Sequence, residues 1–348
     1  LLFVKEKERG SWNANSSRMT LTCWEKISLI ALAAIGLRIL LRVSILVWKK
    51  LIGPSFGFGI DLRTQGRWAV ITGATSGIGK AYAEQLAQKG LDTVLISRSL
   101  AKLEEVAAEI KQRYGVQVRI VEADLTEGQA VYTKIAKATE ELEIAVVVNN
   151  AGASYEHPDL FTNISEDCIA TILQLNVAAI TGIARVLLPR MFERKKGVVI
   201  NISSALAVIP APYLAAYAAS KAYIVKLSYD LAAEAEPNGV TVQCVLPGIV
   251  ATKMSKIKKP TWMAPTAETF VESSLKTIGL ESCTTGYPPH FLLTAFVHGL
   301  RCMCEKGALW LISRTMCTIK GRALEKQAKR AKSSANDTLK QEPPCTVE

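Results

Sequence analysis

The sequence lacks the residue groupings that mark several common classes of protein. Its eight cysteines are scattered over 348 residues, and only Cys302 and Cys304 stand close together. A structural zinc site needs four clustered ligands, so we expect no metal, and we expect free thiols in a reducing compartment rather than disulfides. We also find no internal repeat and no nucleic-acid-binding module, and we expect no nucleic-acid partner.

Acidic residues are in the minority. Lysine and arginine number 42 against 31 aspartates and glutamates, which gives a formal net charge of +11. Part of the excess lies beside apolar segments, at Lys49 and Lys50 and in residues 320–332. This placement suits an anionic membrane surface better than a nucleic acid. A solvated tail explains the second group equally well, and we predict that residues 320–348 form a basic, disordered tail.

Residues 27–48 form a long apolar stretch in which only Arg38 and Arg42 are charged. About 20 apolar residues cross a bilayer as a helix, although each central arginine costs about 2.5–3.5 kcal/mol. An interfacial helix and a helix packed against another segment are therefore alternatives. No small-residue cleavage site follows a short apolar core. We predict an uncleaved membrane anchor, and the basic residues Lys49 and Lys50 predict that the domain after it is cytoplasmic.

Both ends of the chain carry further segments. Residues 290–300 and 307–313 are apolar runs too short to span a bilayer, and we assign residues 286–319 to an apolar C-terminal region. A membrane-dipping hairpin, a lid over a substrate channel and a buried helix are the alternatives for this region. We assign residues 1–26 to a leader. The chain begins with Leu and Met19 resembles a natural start, so residues 1–18 are left out of the fold prediction as non-native or upstream sequence.

Residues 66–285 alternate between strand and helix patterns. Short apolar runs predict strands at residues 68–72, 93–97, 118–121, 144–148, 197–202 and 241–246. Amphipathic patterns between them predict helices, among them residues 100–114, 130–141, 169–190 and 217–235. Continuous apolar strands between such helices are typical of a parallel sheet covered on both faces. Right-handed crossovers then predict one α/β domain with a doubly wound, Rossmann-type sheet.

A glycine-rich turn follows the first predicted strand. Gly73, Gly77 and Gly79 stand in the spacing G-x-x-x-G-x-G, just before a helix. Glycines let the backbone approach a pyrophosphate, and the helix N-terminus supplies amide donors and a positive dipole end. We therefore predict a dinucleotide site, with a merely structural turn as the alternative. The other residues of this turn that we assign to the cofactor are Thr75, Ser76 and Ile78.

The end of the second predicted strand indicates which dinucleotide binds. Ser97 and Arg98 stand there, where an acidic residue would bind the ribose hydroxyls of NAD. An arginine can instead pair with a 2′-phosphate, so we predict NADPH or NADP as the cofactor. A solvated surface arginine is the alternative. Asp124 follows the third strand and could accept a bond from the adenine amino group or cap the next turn, and we assign Leu125 to the same site.

Tyr217 and Lys221 stand four residues apart in a predicted helix, so they share one face. A free tyrosine has a pKa of about 10, and a nearby cation lowers the pKa by stabilising tyrosinate. We therefore predict that Tyr217 donates a proton and that Lys221 lowers its pKa. Pairs with this spacing are common by chance, so the prediction depends on the surrounding motifs.

These motifs together resemble the short-chain dehydrogenase/reductase superfamily. They are the glycine turn, the sequence N-N-A-G at residues 149–152, Ser204 thirteen residues before Tyr217, and Asn176. The resemblance covers about residues 66–257. It implies that Asn176, Ser204, Tyr217 and Lys221 are catalytic, and that Ser204 and Tyr217 bind the substrate carbonyl. The further cofactor contacts that it implies are Asn150, Ala151, Gly152, Tyr217, Lys221, Pro247, Gly248, Val250 and Thr252.

Longer stretches, such as V-L-P-G-I-V-A-T-K-M-S-K-I-K-K-P-T, are similar to the very-long-chain 3-oxoacyl-CoA reductases and the 17β-hydroxysteroid dehydrogenases of types 12 and 3. This resemblance implies an endoplasmic reticulum enzyme that uses NADPH to reduce 3-oxoacyl-CoA in fatty-acid elongation. The alternatives are a 17β-hydroxysteroid or other lipophilic ketone as substrate, and a non-catalytic NADPH-binding membrane scaffold. The implied partners are the membrane, other elongation enzymes and a second copy of the chain.

Two departures from this group bear on the substrate. The group more often has N-N-V-G where this chain has N-N-A-G, and the stretch after Ser204 lacks the group's glycine-rich start. Basic residues 253–259 could contact the phosphates of CoA, or lie in a solvated loop or on lipid headgroups. The sequence therefore leaves the choice between acyl-CoA and steroid open.

Overall fold

The computed structural model describes residues 23–339, which divide into a short N-terminal unit that ends at Trp48 and a larger unit that begins at Lys49. The N-terminal unit consists of helix α1 (Cys23–Val47). Residues Lys26–Val47 are long and apolar enough to cross a membrane, with a mean hydropathy of 2.3. The predicted anchor is therefore a candidate membrane helix. The predicted leader lies outside the described residues up to residue 22.

The larger unit is built on one seven-stranded parallel sheet. Its strands lie in the order β3-β2-β1-β4-β5-β6-β7. The order reverses between β1 and β4, which opens a crevice at the carboxyl ends of the strands, where ligands bind in such sheets. This confirms the predicted doubly wound sheet. The strands are β1 (Trp68–Thr72), β2 (Asp92–Ser97), β3 (Val118–Glu122), β4 (Ile144–Asn149), β5 (Gly197–Ile202), β6 (Val240–Val245) and β7 (Cys283–Thr284).

Helices cover both faces of the sheet. On one face, Leu86, Leu103 and Phe270 pack in one apolar cluster against the central strands. On the other face, Ile135 and Leu187 belong to a second cluster. The helices after α1 are α2 (Gly53–Phe56), α3 (Gly77–Gln88), α4 (Leu100–Tyr114), α5 (Gln129–Ala138), α6 (Glu166–Leu173), α7 (Ala179–Arg194), α8 (Ala215–Ala235), α9 (Ala267–Leu275), α10 (Pro288–Met303) and α11 (Glu305–Leu339).

The single helix predicted for residues 169–190 is divided in the structure. Helix α6 ends at Leu173, and a π-helical turn (Gln174–Ala178) joins it to α7. Single π-turns inside α-helices are rare and are often found at functional sites. The turn contains Asn176, one of the predicted catalytic residues, and buries it completely.

The last helix extends further along the chain than the sequence pattern suggests. Helix α11 continues to Leu339, whereas we expected a disordered tail from residue 320. The reason is composition, because residues 320–332 consist mainly of Lys, Arg, Ala, Leu, Glu and Gln, which are strong helix formers. Residues 340–348 lie outside the described part of the chain.

One buried hydrogen bond links α3 to α9, and we expect it to contribute to stability. The ring of Tyr82 is fully buried, and its hydroxyl lies 2.8 Å from Oγ of Ser274. Replacing Tyr82 by Phe leaves the Ser274 hydroxyl without this partner, so Tyr82→Phe should lower the free energy of unfolding by about 1–3 kcal/mol. Adding Ser274→Ala removes both polar groups and should recover part of the loss. Urea unfolding of the four variants of this cycle measures the coupling, and a coupling near zero would contradict the role of the bond.

Candidate active site

The turn between β1 and α3 is packed too closely for side chains. Gly73 and Gly77 have φ of +64° and +55°, values that favour glycine. A Cβ on Gly79 would lie 2.3 Å from the carbonyl oxygen of Gly73 and 2.4 Å from Nδ2 of Asn150. A Cβ on Gly77 would lie 3.3 Å from Cγ2 of Thr252. The predicted glycine turn therefore lies against the residues that follow β4 and β6.

The start of α3 has the features of a phosphate site. Ser76 is extended, and its side chain does not cap the helix. The first amides of an α-helix have no partner within the helix and carry its positive dipole end, so they suit a pyrophosphate. The side chain of Asn150 supports the turn, because its Nδ2 donates a hydrogen bond to the carbonyl oxygen of Thr72 at 3.1 Å. The residues predicted for the pyrophosphate thus fit that group, and Ile78 lies within the same first helical turn.

The residues predicted for the adenosine end lie at the ends of β2 and β3. Oγ1 of Thr75 lies 3.2 Å from Oγ of Ser97, and the next residue, Arg98, is exposed. Asp124 accepts bonds from the amide and the hydroxyl of Thr126, and these bonds lower its pKa, with a smaller contribution from Arg98. The turn-capping alternative for Asp124 is therefore present in the structure. Arg98 is left exposed at this edge for a phosphate.

The four predicted catalytic residues meet at the same edge of the sheet. Ser204 follows β5, and its side chain lies beside the hydroxyl of Tyr217, which is in the first turn of α8. Nζ of Lys221 lies 5.9 Å from the centre of the Tyr217 ring. A Cβ on Gly152 would lie 2.8 Å from Oδ1 of Asn176 and 3.3 Å from Nζ of Lys221. The glycine of N-N-A-G thus lets the loop after β4 approach both side chains.

Burial, rather than the lysine, dominates the ionisation of Tyr217. Burial raises the pKa of Tyr217, and the bond from Ser204 opposes only part of this rise. We expected Lys221 to lower the pKa of Tyr217, but Nζ instead donates to the carbonyl oxygen of Ile202 at 3.0 Å. Burial also lowers the pKa of Lys221 to about 8, and the nearby Cys244 thiol opposes this shift.

Asn176 fixes the loop after β4 to α8. Its Oδ1 accepts from the amide of Ala153 at 2.9 Å, and its Nδ2 donates to the carbonyl oxygen of Ala153 at 3.0 Å. Nδ2 also lies 2.9 Å from Oγ of Ser220, the residue before Lys221. The side chain of Asn176 therefore positions the backbone around the candidate catalytic residues.

His290, which the sequence did not indicate as a site residue, holds the predicted cofactor segment at residues 247–252 (called the cofactor segment below). The amide of Gly248 donates to Nδ1 of this histidine at 3.1 Å. Its Nε2 lies 3.1 Å from the carbonyl oxygen of Ile249 and 3.2 Å from that of Met263. The ring is fully buried, and burial lowers the pKa of His290. A neutral ring satisfies all three contacts, because Nδ1 accepts and Nε2 donates.

The rest of the cofactor segment is joined to the residue that follows Ser204. The carbonyl oxygen of Pro247 accepts from the amide of Ala205 at 2.8 Å. Val250 is buried, and Thr252 ends the segment in a turn closed by Ser255. The proline pair before His290 indicates a helix start, but nothing in the local sequence indicates that the histidine contacts Gly248.

The family model for short chain dehydrogenases matches residues 67–261, which is more than half of the chain. The chain belongs to the short chain dehydrogenase family. A very-long-chain 3-oxoacyl-CoA reductase from Anas platyrhynchos is 41% identical over 299 residues, covering 85% of this chain and 92% of the relative. The family assignment confirms the resemblance inferred from the glycine turn and the serine, tyrosine and lysine spacing.

Solved structures of family members share the fold. A short-chain dehydrogenase from Sphingobium yanoikuyae in complex with NADPH superposes with a TM-score of 0.56 at 31% identity, covering 60% of this chain and 82% of that one. An L-sorbose reductase from Gluconobacter frateurii, complexed with NADPH and L-sorbose, superposes with a TM-score of 0.51 at 32% identity, covering 54% and 72%. The larger unit of this chain is thus similar to two NADPH complexes.

The bond from Gly248 to His290 predicts a dependence of stability on pH. The fold lowers the pKa of His290 from its usual 6.5, so the neutral ring stabilises the fold above that pH. This contribution is lost as the pH falls through the folded-state pKa. His290→Gln should have a free energy of unfolding about 1–3 kcal/mol lower than that of the wild type at neutral pH. This difference should become smaller as the pH falls.

Urea unfolding at a series of pH values from about 7.5 to about 5 would measure this gap, since histidine titrates in this range. His298→Gln is the matched control, because His298 lies on the same helix and is exposed. The free energy of unfolding of His298→Gln should change with pH as steeply as that of the wild type. If the free energy of unfolding changed equally steeply with pH in His290→Gln and in the wild type, the role assigned to the ring would be contradicted.

Proposed function

We propose that this protein is an NADPH-dependent reductase that converts a 3-oxoacyl-CoA to the 3-hydroxyacyl-CoA in very-long-chain fatty-acid elongation. Membership of the short chain dehydrogenase family gives the reaction class, and the names of the relatives support the substrate. The observation that carries the proposal is the contact between Ser204 and Tyr217, with Lys221 beside it, in the crevice that the glycine turn borders.

The cofactor that these residues fit is NADPH, which when bound supplies the hydride. The first amides of α3 would hold the pyrophosphate, with Asn150 supporting the turn from behind. Arg98 would bind the 2′-phosphate beside Thr75 and Ser97. Residues 150–152 and the segment from Pro247 to Thr252 would hold the nicotinamide end. NADPH complexes among the similar structures support this choice over NADH.

The chain supplies the proton from Tyr217. Because burial raises the pKa of Tyr217, its hydroxyl stays protonated at neutral pH, and this proton can be donated to the carbonyl oxygen of the ketone. The hydroxyl of Ser204 would hold the same oxygen in place. The tyrosinate left behind would be stabilised by Lys221, whose amine lies beside the Tyr217 ring. This amine is charged below its pKa of about 8. Asn176 would hold in place the backbone around Lys221, and water would reach the amine of Lys221 along this backbone.

The membrane is the partner that we propose for both ends of the chain. Helix α1 is apolar and exposed along its length, as a membrane anchor requires. On the outer surface of α10 and α11, Leu292, Phe296 and Trp310 are exposed, beside Arg301 and Arg314. Exposed apolar and aromatic side chains beside cations suit the headgroup region of a bilayer. We place the protein in the endoplasmic reticulum membrane with its catalytic domain in the cytoplasm, where elongation enzymes and a second copy are further proposed partners.

The substrate carries one ketone on an apolar body in both alternatives, so the catalytic residues serve an acyl-CoA and a 17-ketosteroid equally. Lys253, Lys258 and Lys259 favour the acyl-CoA, because they are exposed near the end of the cofactor segment and could bind CoA phosphates. The presence of all four candidate catalytic residues at one edge of the sheet weighs against a non-catalytic scaffold.

Tyr217→Phe tests the mechanism, because it removes the proton donor and keeps the ring. It should lower kcat for a long-chain 3-oxoacyl-CoA by at least about 10²-fold and leave NADPH binding unchanged. Oxidation of NADPH by the solubilised full chain measures kcat, and NADPH fluorescence measures binding. Tyr223→Phe is the control, since Tyr223 lies on the same helix, contacts Thr181 instead and should keep the wild-type rate.

The same assay is run with a 17-ketosteroid in parallel. Faster turnover of the acyl-CoA supports the proposal, and turnover of the steroid alone would replace it by the steroid alternative. Turnover of neither ketone with NADPH still bound would favour the scaffold. Unchanged turnover in Tyr217→Phe would contradict the mechanism for either substrate.

A further inference from the structure

One side of α11 is turned toward the fold. In the stretch from Ser313 to Gln327, the residues Ser313, Met316, Lys320, Ala323 and Gln327 are half-buried, and most of the residues between them are exposed. Their spacing of three and four residues places them on a single face of the helix. This inner face is separate from the outer face that we propose to lie against the membrane.

The inner face contacts the surroundings of the proton donor. Met316 packs against the apolar cluster of Tyr155, Ile172 and Leu214. The hydroxyl of Tyr155 accepts from the amide of Ala216 at 3.1 Å, and Ala216 is the residue before Tyr217. Leu206 belongs to the same cluster, and its amide donates to the hydroxyl of Ser204 at 3.2 Å. The cluster therefore adjoins both residues that would bind the ketone.

An ion pair fastens α11 to the loop after β4. Nζ of Lys320 lies 2.6 Å from Oδ1 of Asp159, and the side chains are only 26% and 15% exposed. The bond from Lys320 holds the pKa of Asp159 at about 2, so the pair stays charged at neutral pH. The amide of Asp159 in turn donates to the carbonyl oxygen of Tyr213 at 2.9 Å. Tyr213 has φ of +67°, an uncommon conformation for a bulky residue.

A second contact joins three segments. The side chain of Gln327 of α11 lowers the pKa of Glu156, and the Glu156 carboxylate lies 3.4 Å from Nζ of Lys256. Lys256 also donates to the backbone carbonyl oxygen of Glu156 at 3.0 Å. The loop after β4, the segment after β6 and α11 thus meet around Glu156. The first two of these segments also carry residues of the candidate active site.

We propose that α11 forms one wall of the substrate site, in which Met316 contacts the acyl chain and sets the chain length that is accepted, while Asp159 and Lys320 hold the wall closed. This inference rests on the proposed function and names the part of the substrate concerned, a long unbranched apolar chain. The surroundings of Met316 are apolar, and the flexible thioether side chain adapts to such chains.

The test is the dependence of kcat/KM on chain length, measured with a series of 3-oxoacyl-CoA thioesters from short to very long chains. Met316→Trp enlarges the side chain in the wall. It should lower kcat/KM for the longest chains at least about tenfold, as one misplaced methylene can, mainly through KM, and leave the shortest chains unchanged. Met303→Trp is the matched control, because Met303 is 81% exposed at the end of α10, and it should behave as the wild type.

The ion pair is tested with Lys320→Met, Asp159→Asn and the double variant. Each single change should raise KM for long chains by the same factor, and the double change should add little, because both remove one interaction. Lys276→Met is the control, since it breaks an exposed pair with Glu272 on α9. Equal losses at every chain length, or no change for Met316→Trp at any length, would overturn the proposal.

Binding of a saturated long-chain acyl-CoA, which carries no ketone, separates this inference from the proposed function. Met316→Trp should weaken this binding while Met303→Trp does not, whether or not the wild type reduces 3-oxoacyl-CoA. Absence of reduction with this difference intact would refute the proposed function alone. Reduction by the wild type with equal acyl-CoA binding in both variants would refute the wall alone.

Discussion

The catalytic edge of the sheet is arranged around one buried amine, Nζ of Lys221. A charged amine away from water is costly, and burial accordingly lowers its pKa to about 8. The amine donates a hydrogen bond to the carbonyl oxygen of Ile202, at the end of β5, and this bond fixes the amine against the sheet. The loop after β4 can approach it only because residue 152 is glycine. The positions of Asn176, Ser204 and Tyr217 then follow from the elements that enclose this amine.

The sheet could be predicted, and the candidate catalytic residues could be proposed, because their signals are local. Apolar strands, amphipathic helices and the glycine turn are each read from a few neighbouring residues, and Tyr217 and Lys221 lie on one helix. The contacts of His290 and Met316 could not be predicted in this way, since they join residues far apart in the chain. The rise in the pKa of Tyr217 also needed the fold, because it depends on how completely the ring is enclosed.

The two faces of α11 explain why the C-terminal pattern was ambiguous in sequence. Residues 286–319 were assigned to a region with a membrane hairpin, a lid and a buried helix as alternatives. In the structure, the exposed apolar side chains and the half-buried stripe belong to the same pair of helices. The apolar residues of these two helices therefore face two different environments. The order of residues in the sequence does not show which residue faces which environment. The contacts of α11 with Asp159 and with the cluster around Tyr155 show which side is turned inward.

The π-helical turn between α6 and α7 also sets the phase of the helix that follows it. An α-helix advances about 100° for each residue, so the wider turn at Gln174–Ala178 rotates the whole of α7 relative to α6. In that orientation Ile183 and Leu187 point into the core beneath the sheet. A shortening of this turn by one residue would carry that apolar face round by about 100° toward solvent. The position of one catalytic asparagine and the packing of a complete layer of the domain are therefore linked through the length of a single helical turn.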